Sequence, residues 1–295
     1  PSAESEGYKR QGYGSMKKIN TEQITEQVKK MCMESNYYLP TDIYDALKSS
    51  IDTEKSEIGR SILKDICTNA DIAKAEDIPI CQDTGTAVFF VKLGQEVYIE
   101  GGLLEEAIQE GVRRGYQEGY LRKSIVENPL YRKNTKDNTP AIIHYEITGG
   151  DSLEIILAPK GGGSENMSKL YMLTPSQGRE GIEKAVIETV TLAGPNACLP
   201  VVVGIGIGGN FEKCALLAKK ALTRDVGSHN EDERMKELEE DLLNKINRLG
   251  IGPQGLGGTT TALAVHIETY PCHIASMPLA INIGCHVNRH QKIIL

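Results

Sequence analysis

Seven cysteines, Cys32, Cys67, Cys81, Cys198, Cys214, Cys272 and Cys285, are spread along a chain of 295 residues. Three lie in loop-like stretches rich in polar residues: Pro79-Ile80-Cys81-Gln82-Asp83-Thr84-Gly85, Gly194-Pro195-Asn196-Ala197-Cys198-Leu199-Pro200, and Asn282-Ile283-Gly284-Cys285-His286. Thiolates held at turns, where backbone amides can donate to sulfur, suit iron–sulfur ligation. Three thiolates on a four-iron cluster leave one iron without a protein ligand, and an open cation position is where a Lewis acid binds its substrate. Cys32, Cys67 and Cys214 fall inside helical patterns among apolar residues and read as small buried packing groups. Cys272, beside His273, is also assigned to packing. Context alone does not decide three from seven. With Cys272 as a fourth ligand the chain would read as an electron-transfer or iron-sensing protein, and with none as a metal-free binding module.

The cysteine count excludes simpler readings. It is odd and scattered in a chain long enough to bury a core, which argues against a disulfide framework. No Cys-x-x-Cys pair occurs, so zinc-ribbon and thioredoxin-type sites lack their signature. Three glycine clusters accompany the thiols: Gly161-Gly162-Gly163-Ser164-Glu165-Asn166, Gly204-Ile205-Gly206-Ile207-Gly208-Gly209-Asn210, and Gly252 to Thr260. Such segments let backbone amides approach an anionic ligand, or simply turn tightly. The second follows a strand pattern and opens a helix, but no acidic residue ends a second strand about twenty residues later, so a dinucleotide is not indicated.

The elements that must position these groups are mixed. Thr21 to about Ala75 reads as helices, with Pro40-Thr41-Asp42 as the cap of the second. Residues 87–99 read as one or two strands, Leu103 to about Arg122 as a helix, and 141–159 as two strands joined in a hairpin at Gly149-Gly150-Asp151. Further on come a helix over 176–194, a buried strand over 199–207 and a helix from Phe211 to Arg224. Glu231 to Arg248 has the charge pattern of a solvated surface helix, and 259–285 holds two more strands. The fold class is therefore mixed α/β, a helical N-terminal region followed by a mixed α/β core that binds the cluster. Residues 1–15 are polar and read as a vector-derived tail or disordered extension, leaving 16–295 as one domain. A net charge of −7 argues against nucleic acid as a partner. No apolar run approaches the ~18 residues of a membrane span, and no secretion signal opens the chain, so the reading is cytoplasmic.

The segments PICQDTGTAVFFVKLGQ, KGGGSENMSKL, PNACLPVVVGIGIGGNFEKC, GPQGLGGTTTALAVHIETYPCHIASMP and NIGCHVNRH together resemble the class I, iron–sulfur, fumarate hydratases and the related L-tartrate dehydratases. That resemblance spans about residues 79 to 290. It implies an oxygen-sensitive [4Fe–4S] hydro-lyase that hydrates fumarate to (S)-malate, a step of the tricarboxylic acid cycle, with L-tartrate dehydration as the alternative. Cys81, Cys198 and Cys285 match the cluster ligands. Gln82, Arg122 and Gly163 match substrate-binding positions, and Asp83 and His273 match catalytic ones. His286, Arg289 and His290 follow the third cysteine and read as its supports.

An arginine fork and inward-facing amides are natural receptors for a dicarboxylate, even on a chain of net negative charge. Single-chain members of the family continue into a second domain that carries further site residues. The resemblance is therefore to the alpha subunit of the two-subunit form, completed by a separate beta subunit in a heterotetramer, or with alpha chains forming a homodimer. The other expectation is a truncated form of a longer chain.

Overall fold

The structure is a computed structural model that describes residues 16–295, so the expectation for residues 1–15 lies outside the described residues. In chain order the elements are β1 (Lys17–Asn20), α1 (Thr21–Tyr37), α2 (Thr41–Thr53), α3 (Glu57–Glu76), β2 (Thr86–Gly94), β3 (Val97–Glu100), α4 (Leu104–Glu118), β4 (Ile142–Thr148) and β5 (Leu153–Lys160). They continue with α5 (Gly162–Glu165), β6 (Lys169–Leu173), α6 (Gly178–Ala193), β7 (Val201–Gly208), α7 (Phe211–Ala221), α8 (Glu233–Asn247), β8 (Ala262–Tyr270), β9 (Met277–Gly284) and β10 (Gln291–Ile294). The expected mixed α/β class, with helices at the start, is what forms.

Two four-stranded sheets carry the fold, in the orders β10-β5-β2-β4 and β6-β9-β7-β8, while β1 and β3 pair separately. In the first sheet the alternation of β2 turns Ala87, Phe89 and Val91 onto Ile24, Val28 and Met31 of α1 and Ile108, Val112 and Tyr116 of α4. In the second, Val201, Val203 and Ile205 of β7 face Val186 and Val190 of α6 and Leu242 and Ile246 of α8. The opposite face of β7 takes α7. A Cβ at Gly204 would stand 2.2 Å from the Ala218 carbonyl oxygen, and one at Gly206 2.0 Å from that of Cys214. Glycine is thus required there for helix–sheet contact, and the GIGIGG cluster is a packing surface more than a ligand loop.

Several local expectations change in three dimensions. β4 and β5 do not form a hairpin: β4 pairs parallel with β2, and β5 pairs antiparallel with the other edge of β2. Their link, residues 149–152, passes over the β2–β3 turn, with Gln95 N donating to Thr148 O and Glu96 N to Gly150 O. A glycine turn signal cannot report that a third strand lies between the two it joins. α2 begins at Thr41 without a side-chain cap. Asp42 instead accepts from Val226 N at 2.7 Å, tying α2 to the loop that follows α7. α8 is not simply a solvated helix, because Leu238, Glu239, Leu242 and Ile246 are buried against β8 and α6. The buried Glu239 carboxylate is held by Arg224 at 2.8 Å and by the Ile267 N–H at 2.7 Å. Cys272, expected in packing, is exposed, whereas Cys32, Cys67 and Cys214 are buried as expected. Strands β1, β6 and β10 have no counterpart in the sequence reading.

Candidate active site

Cys81 follows α3, which ends at Asp77 in a left-handed conformation. The residue before the thiol is pinned on both sides: Ile80 N donates to Asn36 O at 2.9 Å, and Asn69 Nδ2 donates to Ile80 O at 2.8 Å. Asp83 accepts from its own loop at Gly85 N (3.0 Å) and from Gly162 N (2.7 Å) at the start of α5. Thr84 accepts from Arg122 N at 3.0 Å, and Tyr116, fully buried, donates to Thr84 O at 2.8 Å. The loop also crosses Lys160 so closely that a Cβ at Gly85 would stand 2.7 Å from the Lys160 carbonyl carbon, at a φ of +76°. Only glycine satisfies both demands.

Cys198 ends a short 3-10 turn at φ +55°, with its N–H donating to Pro195 O at 3.1 Å. Its carbonyl receives two donors from the third cysteine's turn, His286 N at 3.1 Å and His286 Nδ1–H at 2.9 Å. Burial pushes the His286 pKa down. Gln254 donates from its side chain to Leu199 O at 2.6 Å, bracing the same turn from the 252–261 loop. That loop is itself anchored by Glu54, whose carboxylate accepts from Thr259 N and Thr260 N at 2.9 and 2.7 Å. Cys285 follows β9 directly, and with Cys81 it packs against Ala70, Ala73, Ile80 and Val287.

The three thiols therefore share one space. The Cys198 thiol is pushed up by burial and then by the neighbouring Cys285, Cys81 and Asp83. Cys198 is exposed and the other two are half-buried, so the site opens to solvent. Gly163 joins them, since a Cβ there would lie 3.6 Å from Asn196 O beside Cys198. Gln82 and Arg122 stand exposed at the same loop. Among the described residues, no three His, Cys, Asp or Glu side chains are gathered tightly enough to hold a single metal ion.

His273 is not brought to the thiols of its own chain. It lies past the end of β8, at the mouth of a cavity of about 650 Å³ that Cys272, Tyr270, Asn210, Lys213 and His144 also line. Cys285 is at the opposite end of β9, which has 8 residues, so about 25 Å of strand separates the two.

A charged network absent from the sequence reading lies beneath α5. Lys160 Nζ is 2.7 Å from Ser164 Oγ and 3.4 Å from Glu165 Oε2, and Lys219 Nζ is 2.5 Å from Glu165 Oε1. Asn282 Nδ2 donates to Glu165 Oε2 at 3.0 Å. Burial pushes the Lys160 ammonium down against the opposing charges of Glu165 and Cys285. Lys160 and Glu165 flank the glycine run and were legible as polar loop residues. Nothing in the sequence marks Lys219, 54 positions from Glu165, as their partner.

The sequence profile described as Fumarate hydratase (Fumerase) matches residues 25–294. The chain belongs to this family. Two curated relatives extend the comparison. "Putative L(+)-tartrate dehydratase subunit alpha" of Methanocaldococcus jannaschii is 44% identical over 272 residues, covering 90% of this chain and 95% of that protein. L(+)-tartrate dehydratase subunit alpha of Escherichia coli strain K12 is 34% identical over 284 residues, covering 95% and 93%. Membership of the fumarate hydratase family makes the chain a hydro-lyase. No helix among the described residues is long and apolar enough to cross a membrane.

Proposed function

We propose that the chain is the alpha subunit of an iron–sulfur hydro-lyase that reversibly hydrates fumarate to (S)-malate, with a [4Fe–4S] cluster on Cys81, Cys198 and Cys285. The observation that carries this reading is the meeting of three thiols from distant segments around Asp83 and Gly163. Among the described residues no three such side chains are gathered for a single ion, whereas a cluster lets each thiolate bond a different iron. The charge balance agrees with an anionic group. Lys160 and Lys219 share the single carboxylate of Glu165, and Arg289, buried near Asp83, has no carboxylate partner among the described residues. When bound, the cluster supplies an open iron position that polarises a hydroxyl as a Lewis acid.

The chain's own groups would do the rest. The exposed Arg122 guanidinium, free of ion pairs among the described residues, offers a fork for a carboxylate, with Gln82 and the Gly163 backbone beside it. Asp83 is a carboxylate at the thiol site of one chain. Both its oxygens are held by backbone N–H groups, which fixes its direction for proton transfer. His273, about 25 Å away along β9, contributes to this chemistry only if another copy of the chain delivers it. Solvent access at Cys198 leaves an open side for a beta subunit to close, as the names of the alpha-subunit relatives suggest. The same openness favours an oxygen-sensitive cluster.

A second reading rests on those names: the substrate is L(+)-tartrate. Both are small dicarboxylic acids, so the receptor chemistry described does not separate them. The test is anaerobic co-production with the partner subunit, assay of iron and sulfide, and a panel of fumarate, (S)-malate and L-tartrate. Fumarate hydration faster than tartrate dehydration supports the first reading. Turnover of tartrate alone replaces it with the second, and a chain free of iron and sulfide refutes both.

A further inference from the structure

We infer that Arg289 is a positioning residue that registers the Cys81 loop against the Cys285 turn, and that the anionic cluster site is the counter-ion of its buried guanidinium. This inference rests on the cluster reading above. Arg289 follows Cys285 by four positions and is 5% exposed. Its Nη2 donates to Asp83 O at 2.7 Å, two residues beyond Cys81. One side chain thus links two of the three thiol-bearing segments. The third is tied to the same turn through His286 and the Cys198 carbonyl.

The rest of the guanidinium is unusual. Nε and Nη1 are buried and have no hydrogen-bond partner. No carboxylate lies within ion-pair distance among the described residues, whereas Arg113, Arg114, Arg179, Arg224 and Arg234 all have one. The Asp83 carboxylate is committed to Gly85 and Gly162. Tyr116, close enough to feel the arginine, has its hydroxyl pushed further up by burial and supplies no anion. A buried, unpaired cation is strongly unfavourable, so a fold that keeps one needs an anion nearby. The anion assigned to it is the thiol site, since Cys81 lies two residues before the carbonyl that Arg289 binds and Cys285 four residues before Arg289 itself.

The test compares wild type, Arg289→Gln and Arg289→Lys, each assembled anaerobically with the partner subunit and checked for folding by circular dichroism. Iron and sulfide content, the rate of iron loss to a chelator, and the midpoint potential of the cluster are measured. Glutamine keeps a donor for the Asp83 carbonyl but removes the charge. It should release iron about 10–100-fold faster and move the potential negative, because an added electron loses its compensating cation. Lysine keeps the charge without the fork, so the potential should stay near wild type while iron loss remains fast. A folded Arg289→Gln protein with wild-type release rate and potential overturns the inference. So does a folded lysine variant whose potential shifts as far as that of glutamine, since charge would then not be the cause. A wild-type assembly lacking iron and sulfide instead removes the cluster reading itself.

Discussion

Glu54, 1% exposed at the end of α2, offers a perturbation whose size follows from the structure. Burial pushes its carboxyl up, but the N–H groups of Ser56, Thr259 and Thr260 together outweigh burial and hold the pKa at about 2 instead of the ordinary 4.5. A displacement of that size is worth ~3 kcal/mol. The sign is fixed by the lowered value. The folded chain binds fewer protons than the unfolded one between pH 4.5 and about 2. Its contribution is therefore complete above 4.5 and lost as pH falls toward 2. Glu54→Gln keeps one acceptor oxygen and loses the charge, for an expected loss of about 2–3 kcal/mol at pH 7. With a urea dependence of about 3 kcal/mol per molar, the unfolding midpoint should drop by about 1 M. The gap from wild type should narrow steadily as the pH is lowered below 4.5. Because the loop anchored by Glu54 braces Cys198 through Gln254, the variant's Cys198 should also be alkylated faster in the cluster-free chain. Equal midpoint differences at pH 7 and pH 3, or a negligible one at pH 7, would refute the reasoning.

Other outcomes follow from single contacts. Gly206→Ala, whose Cβ would sit 2.0 Å from the Cys214 carbonyl oxygen, should destabilise by at least ~1–3 kcal/mol in thermal melts, whereas Gly149→Ala, with nothing within 4 Å, should change little. His266 is buried neutral, its pKa lowered to about 4 by burial and then by Arg224, so stability should fall as pH drops from 6.5 to about 4. His266→Gln should flatten that part of the urea midpoint profile. Serine at Cys81, Cys198 or Cys285 should each abolish iron and sulfide loading, while Cys272→Ala should load normally; retention of the cluster in any of the first three would contradict the ligand set. Leu242→Ala, removing the fully buried contact of α8 with the β-sheet, should cost about 2–5 kcal/mol, read from the urea midpoint.

Much of this protein is written locally. Helix periodicity and the apolar runs of β2, β7, β8 and β9 place the main elements within a few residues, because burial of one face imposes a period that the chain carries in its own spacing. The loop contexts of Cys81, Cys198 and Cys285 set them apart from the helical cysteines, and the motif blocks around them identify the family. Pairing was not local. The 149–151 turn was read correctly as a turn, but not that β2 lies between the strands it joins, since register is decided by partners elsewhere in the chain. The glycines of β7, read from sequence as an amide-lined loop or a tight turn, proved to be the surface on which α7 packs.

The tertiary structure alone decided which charges meet. Glu165 with Lys219, Glu54 with Thr259 and Thr260, and Arg289 with Asp83 are separated by 54 to 206 positions, and no periodicity encodes such encounters. It also divided the residues that one set of motifs had grouped. Asp83, Gly163 and the three thiols converge where the loops at one end of the second sheet meet the Cys81 loop, while His273 stands a strand length away. Sequence specifies which side chains have chemistry to offer. Distance and desolvation, which exist only after the chain has folded back on itself, determine which of them act together.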